Sequence, residues 1–242
     1  MTPALTAIFK REFFGYFRTP VAYVFLMVFV LSSIGLTWFL GRIFENNEAS
    51  MAVFFLFCPW VFLFLVPAVG MRLWAEERRS GTWELLFTLP VRVEEAVIGK
   101  FLAAWAFIGI ALACTLTLPL TLAYLGSPDW GIIAAGYAGS FLLAGAYLGI
   151  CSLASAFTRS QVIAFVLSLC ACLTLVLSGW SVFNGLLRSL SIPVWITDIL
   201  NQLSFLPHHE PMTMGLIRIQ DLGYFLSFIA TTIALNILIL KR

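Results

Sequence analysis

RLWAEERRSGTWELLFTLPVRVEEAVIGK, residues 72–100, carries five basic and five acidic residues, out of 14 Lys+Arg and 12 Asp+Glu in the chain. The sequence on either side is almost free of charge. The whole chain of 242 residues is 61% hydrophobic and 11% charged, whereas an average soluble domain is about 25% charged. A fold of this size has too little interior to hide that much apolar surface from water, so lipid is the solvent for much of it. The charged stretch then reads as a loop between two transmembrane helices, held out to the aqueous phase.

Working outward, six apolar segments clear the roughly 18 residues needed to cross a bilayer. They lie at 20–41, 51–71, 100–125, 131–157, 161–183 and 221–240. The predicted fold is an all-α membrane protein with six transmembrane helices in a single domain over 1–242. The third and fourth spans are separated only by GSPDWG, a tight turn that makes them a helical hairpin. Residues 184–220 hold Pro193, Pro207, Pro211 and both histidines, and their apolar stretch is too broken to span. We expect an interfacial or re-entrant element there. Before the first span, residues 3–18 put Leu5, Ile8, Phe9, Phe13, Tyr16 and Phe17 near one helical face, with Lys10, Arg11 and Arg18 available to lipid phosphates. That is the pattern of an amphipathic interfacial helix. These basic residues precede a span-length run with no small-x-small cleavage site, so the run is read as a retained helix.

With six spans, the basic residues of the N-terminus, of the 72–100 loop, of Arg159 and of the C-terminal Lys241 and Arg242 share one side. Only Arg42, Arg188 and Arg218 fall on the other. The positive-inside rule places both termini and the charged loop in the cytoplasm.

Several chemistries find no residues to carry them. A net charge of +2 gives no nucleic-acid footprint. Cys58, Cys114, Cys151, Cys170 and Cys172 sit in apolar runs without C-x-x-C pairing, as packing residues do. No Asp, Glu, Lys, Arg or His lies inside the apolar spans, where Asn236 and scattered Ser and Thr are the polar groups. Ion-coupled carriers and pumps place ionisable groups at that depth. His208, His209 and Glu210 could hold a metal or form a solvated loop; adjacent histidines do not share a helical face, which favours the loop. No G-x-x-x-x-G-K-[ST] run occurs, so the chain has no P-loop for ATP and reads as a non-catalytic protein. The small residues Gly131, Ala135 and Gly139, and Gly145 with Gly149, permit close helix approach within the chain or between copies.

Inside the loop, Glu76, Glu77, Arg78 and Arg79 make a charged stretch open to solvent. Ser80-Gly81-Thr82 breaks the helix, and Thr82 can cap a new one. Trp83 to Leu89 forms about two turns, and Pro90 limits them. Glu94 and Glu95 start the helix of the third span, with Lys100 near the membrane surface. Leu85, Leu86 and Leu89, exposed between charges, suggest a docking surface; a loop resting on lipid headgroups is the other reading.

Glu76-Glu77-x-x-x-Gly81-Thr82-x-Glu84-Leu85-Leu86, then Leu89-Pro90-Val91, Glu95 and Gly99-Lys100, resembles the signature between the second and third spans of ABC-2 permeases, the transmembrane subunits of ABC transporters. The likeness covers the whole chain. It implies an elbow helix along the membrane at 3–18, a coupling helix in the 72–100 loop that docks on a separate nucleotide-binding subunit, and an extracytoplasmic re-entrant element. On this resemblance Glu76, Glu77, Gly81, Thr82, Glu84, Leu85, Leu86, Leu89 and Pro90 serve ATPase coupling. Phe157, Thr158, Arg159, Ser160 and Gln161 form a second cytoplasmic contact. Gly215-Leu216-Ile217-Arg218 and Asp221 to Ser227 are similar to the gliding-motility-type branch. The expected setting is the bacterial cytoplasmic membrane. Partners implied are the ATPase, which would hold ATP and Mg, a second permease copy or related permease, membrane lipid and a periplasmic accessory protein. The expected function is export or transmembrane mechanical work. A membrane adaptor that recruits a cytosolic protein without transport is the alternative. An enzyme acting on lipid-linked substrates is disfavoured because no acid, base or metal set converges.

Overall fold

A computed structural model of the chain describes residues 2–41, 50–81, 92–189 and 194–241. These residues form helices α1 (Pro3–Phe17), α2 (Pro20–Gly41), α3 (Ala52–Gly70), α4 (Arg72–Ser80), α5 (Val93–Cys114), α6 (Thr117–Leu125), α7 (Trp130–Phe157), α8 (Gln161–Gly179), α9 (Ser181–Ser189), α10 (Val194–Leu203), α11 (Leu206–Thr213) and α12 (Ile219–Leu240). No strand occurs among them. Six helical segments are long and apolar enough to cross a membrane: α2, α3 continued by α4, α5 continued by α6, α7, α8 and α12. The protein is an all-α, six-span membrane protein, as its apolar runs predict. The helices beside the charged loop run further than those runs, to Ser80 on one side and from Val93 on the other.

The fourth span is the axis of the bundle. About two-thirds (67%) of the apolar window of α7 is buried, against 17% for α2, 28% for α8 and 22% for α12. Small residues make this possible. Gly149 lies against Thr232 of α12 and Gly145 against Ile229, while Gly139 faces Met212 of α11 and Gly136 faces the Phe55 ring of α3. A side chain at any of these would collide with its neighbour, so four of the small positions on α7 are used in packing within the chain. Peripheral α2 exposes Val21, Val24, Val28 and Leu31, an apolar stripe at helical spacing. In water such a stripe is unfavourable; in a bilayer it is the expected outer surface.

The third span breaks at Thr115, whose hydroxyl donates to the Leu112 carbonyl (2.7 Å) and shares a hydrogen bond with the Tyr137 hydroxyl (3.0 Å). At the turn before α7, the Asp129 carboxylate accepts from the amides of Gly131 (2.8 Å) and Ile132 (3.3 Å) and starts that helix.

Residues 194–213 fold back into the bundle against α7, α8 and α12. Phe205 is fully buried among Tyr147, Tyr224, Phe225 and Phe228, and the Ser204 hydroxyl donates to the Leu175 carbonyl (2.7 Å). The loop expected at 208–210 is instead helix α11. Its two histidines diverge: His208 Nδ1 sits 2.8 Å from Asp221 Oδ1, and His209 is buried 3.4 Å from Ser140 Oγ. Burial lowers the His209 ring to about 4, so it is neutral near pH 7.

Candidate functional site

Most of the described charges gather at one end of the bundle, where α1, α4, the start of α5 and the α7–α8 turn meet. α1 reaches this place because Gly99 of α5 leaves room for it. A Cβ at Gly99 would stand 3.0 Å from Ile8 Cγ2 and 3.5 Å from the Leu5 carbonyl. Further along, the Tyr16 ring stacks on Phe107 at 4.9 Å. This docking brings Arg11 and Glu12 beside α4.

Lys100 is the centre of the cluster. It is only 3% exposed, and its Nζ lies 2.7 Å from Glu77 Oε1 and 3.5 Å from Glu12 Oε1. The ammonium also donates to the Leu73 carbonyl (3.2 Å) and sits 5.1 Å from the Trp74 ring centroid. Arg11 closes the group, 2.7 Å from Glu12 and 3.9 Å from Glu77. Two cations and two carboxylates therefore neutralise each other, the condition for holding a charge in an apolar interior. Burial alone would raise the Glu12 carboxyl, but Lys100 and Arg11 outweigh it and hold it below its ordinary value. Two expectations are corrected here. Lys100 points into the protein rather than to the membrane surface. Glu77 turns inward rather than into solvent, because α4 continues through it and Lys100 supplies its counter-charge.

Glu76 goes the other way. Successive helical residues point about 100° apart, so Glu76 projects outward, 55% exposed, with Arg72 Nε 3.6 Å away. Gly81 ends α4 in the left-handed conformation (φ +71°), where glycine is favoured. The remaining predicted coupling residues, Thr82, Glu84, Leu85, Leu86, Leu89 and Pro90, lie outside the described residues. The chain is described again at Arg92, whose amide donates to Glu95 Oε2 (3.2 Å), and Glu94 pairs with Lys241 at 2.7 Å.

The second predicted contact lies at the same end. Phe157 closes α7 and is 67% exposed. Thr158 Oγ1 accepts from the Ser160 amide (3.1 Å), Arg159 is exposed, and Ser160 precedes Gln161 at the start of α8.

What joins the two contacts is a polar seam. Ser155 Oγ accepts from the amides of Trp74 (3.0 Å) and Ala75 (2.9 Å) and donates to the Met71 carbonyl (2.9 Å). Those amides belong to the first turn of α4, which has no side-chain cap of its own. Ser155 of α7 therefore caps α4 from another helix. One turn away, Ser152 Oγ accepts from the Trp74 indole (3.3 Å) and from the Asn236 amide of α12. Sequence reasoning missed Glu12, Trp74, Ser152 and Ser155. The available signals were a lone Lys at the head of an apolar helix and two serines at i, i+3 in a run of small residues.

The arrangement contains no converging nucleophile and base. It is a set of braces between helices, with Glu76, Phe157 and Arg159 facing outward from the same end. Among the described residues, no three His, Cys, Asp or Glu side chains gather to hold a metal. No curated protein matches the chain. Residues 63–240, well over half of its length, match the family model described as ABC-2 family transporter protein.

Proposed function

The chain belongs to the ABC-2 family of transporter proteins, and on that premise we propose that it couples ATP hydrolysis on a separate nucleotide-binding subunit to export or to mechanical work across the membrane. It is a multi-pass membrane subunit. In this reading the charged end faces the cytoplasm with both termini, in agreement with the excess of Lys and Arg there. Two such chains, or this chain and a related permease, pair above two ATPase subunits that hold ATP and Mg. In this reading Trp83–Leu89 serves as the docking helix, Leu85, Leu86 and Leu89 as its apolar face, and Phe157 to Gln161 as the second contact. A periplasmic accessory protein completes the assembly where force rather than cargo is passed on.

The observation that carries the reading is the bracing of α4. Ser155 fixes it to α7 and the Glu77–Lys100 pair fixes it to α5, while Arg11 and Glu12 bring in α1. A displacement of the loop has no slack to absorb it at its root. It moves α4 and the ends of α5 and α7 as one body, and the bundle with them. Coupling then amounts to two bundle arrangements that differ in free energy with the state of the ATPase. Glu77 acts inside this body as a positioning residue, and Glu76 lies on its outer surface beside Arg72.

Within the family we assign the chain to the gliding-motility-type branch, on Gly215 to Arg218 and Asp221 to Ser227. Two of these residues have visible work: Asp221 holds His208, and Tyr224 stacks on the His208 ring at 4.0 Å.

The test is a Leu85→Glu/Leu86→Glu double variant. It should insert and fold normally, yet fail to co-purify with the ATPase and fail to stimulate ATP hydrolysis. Normal assembly and normal stimulation sink the coupling assignment. A native partner that binds no ATP would favour the adaptor reading instead.

A further inference from the structure

A cavity of about 210 Å³ lies between α1 and α4, lined by Glu12, Gly15, Tyr16, Thr19, Arg72 and Glu76, with Leu73 at its wall. Its position is set by the ends of two spans. Thr19 immediately precedes α2, and Arg72 follows the apolar α3. The cavity therefore lies at headgroup depth, in the leaflet at the charged end. Its volume is below the roughly 300 Å³ at which drug-sized pockets begin, so it suits a small polar group.

Its walls carry both signs of charge with unused valence. The polar contacts of Glu12 run through Oε1 and leave Oε2 for the cavity. Arg72 approaches Glu76 through Nε at 3.6 Å, beyond hydrogen-bond length, so its guanidinium fork is not engaged by that contact. The Tyr16 hydroxyl makes no hydrogen bond among the described residues, although its ring is held by Phe107. Glu12 is already met by Arg11 and Lys100, so Glu76 and Arg72 are the least engaged charges of the wall, one of each sign, and disfavour a simple anion. They match a zwitterion whose ammonium can donate several hydrogen bonds and whose phosphate can take the fork of an arginine.

We propose that this cavity binds the headgroup of phosphatidylethanolamine, with the ammonium between Glu12 and Glu76 and the phosphate on Arg72. The quaternary ammonium of a choline lipid has no N–H to donate to the carboxylates. A glycerol lipid lacks the cation altogether. Bound there, the lipid bridges α1 to α4, the helix that leads into the charged loop.

Gly15 supplies a clean test, because a Cβ there meets nothing within 4 Å. Gly15→Leu thus adds bulk to the cavity that Gly15 lines, starting from a Cβ that meets no neighbour. The full-length chain, purified in detergent, is presented with equal amounts of phosphatidylethanolamine, phosphatidylcholine and phosphatidylglycerol. Retained lipid is read by native mass spectrometry, with glycerophosphoethanolamine and inorganic phosphate as soluble competitors. The ethanolamine lipid should be retained about tenfold over the other two, a difference near 1.4 kcal/mol. Gly15→Leu and Arg72→Gln should each abolish that preference while keeping wild-type helicity and monodisperse elution. Glycerophosphoethanolamine should displace the lipid only weakly, and phosphate not at all. Equal retention of the three lipids overturns the proposal. So does an undiminished preference in Gly15→Leu, or displacement by phosphate alone.

Discussion

Lys100 Nζ, on the helix leaving the charged loop, stands 2.7 Å from Glu77 Oε1, on the helix leading into it. The pair spans the loop at its root, and one partner is almost wholly buried. Removing one member of such a pair leaves an uncompensated charge and costs about 3–5 kcal/mol, less where a partner is partly wetted. Replacing both by apolar groups of similar size is far milder. Lys100→Met should therefore lower the thermal midpoint in detergent sharply, because Glu77 and Glu12 are left with Arg11 alone, and Glu77→Gln should do so less, since Glu12 remains 3.5 Å from Lys100. The double variant should recover a large part of the loss. Additive losses in the double variant would show that the two side chains do not interact.

The same cluster makes a prediction about acid. Glu12 is held below its ordinary value of 4.5 by Lys100 and Arg11, against the opposing effect of burial. A carboxyl depressed on folding contributes stability that is fully present above the unfolded-state value. That contribution fades as pH falls through the folded-state value. The midpoint difference between wild type and Glu12→Gln should stay constant from neutrality to about pH 5 and close below pH 4. A gap that persists unchanged in acid would mean that the Glu12 ion pairs add nothing.

The small-residue surface of α7 gives a third expectation. Gly149 is in contact with Thr232, and Gly145 lies 2.8 Å, at the position of an added Cβ, from Ile229 Cδ1. Both sit on rigid helices, so a larger residue must separate α7 from α12. Gly149→Leu should cost about 1–3 kcal/mol or more and bring aggregation on extraction. Gly35→Leu is the control, as a Cβ there meets nothing within 4 Å. If the control is equally damaging, the loss does not come from the α7–α12 contact, since Gly→Leu itself raises helix propensity.

These residues also mark where sequence suffices. The spans are legible because crossing a bilayer demands length and apolarity, both of which are local properties of the chain. Gly81 and Glu95 are legible for the same reason: a helix end announces itself within a few residues. Lys100 is not. A lysine at the edge of an apolar run reads as lying near the membrane surface, and only the packing of α1 against Gly99 brings Glu12 to it, while the tertiary placement of α4 brings Glu77. Nor does a sequence say which glycines face inward, since Gly145 meets α12 and Gly139 meets α11 only through tertiary placement. The outward face of the candidate site is legible from charge density at Glu76 and from the family resemblance at Phe157 and Arg159, whereas the residues that brace it are polar groups scattered over four helices.

Ser155 offers the most direct test of that bracing. Its hydroxyl accepts from the amides of Trp74 and Ala75 and donates to the Met71 carbonyl, so a single oxygen serves three backbone groups of a neighbouring helix. Ser155→Ala removes all three bonds and leaves buried amides unpaired, at about 1–3 kcal/mol. Backbone hydrogen exchange distinguishes this from a general loss of stability. Protection at Trp74 and Ala75 should fall by at least about tenfold, while Phe225 and Ile229 of α12, buried about two to three turns along that helix from Asn236, fall only as far as the midpoint does. On the proposed coupling, loosening this cap frees α4 from α7 in the assembled complex. The variant should then keep the ATPase bound while weakening its control over the bundle, seen as ATP hydrolysis no longer matched by transport or work. Unchanged protection at Trp74 and Ala75 would show that α4 keeps its first turn without Ser155, and that the brace lies elsewhere.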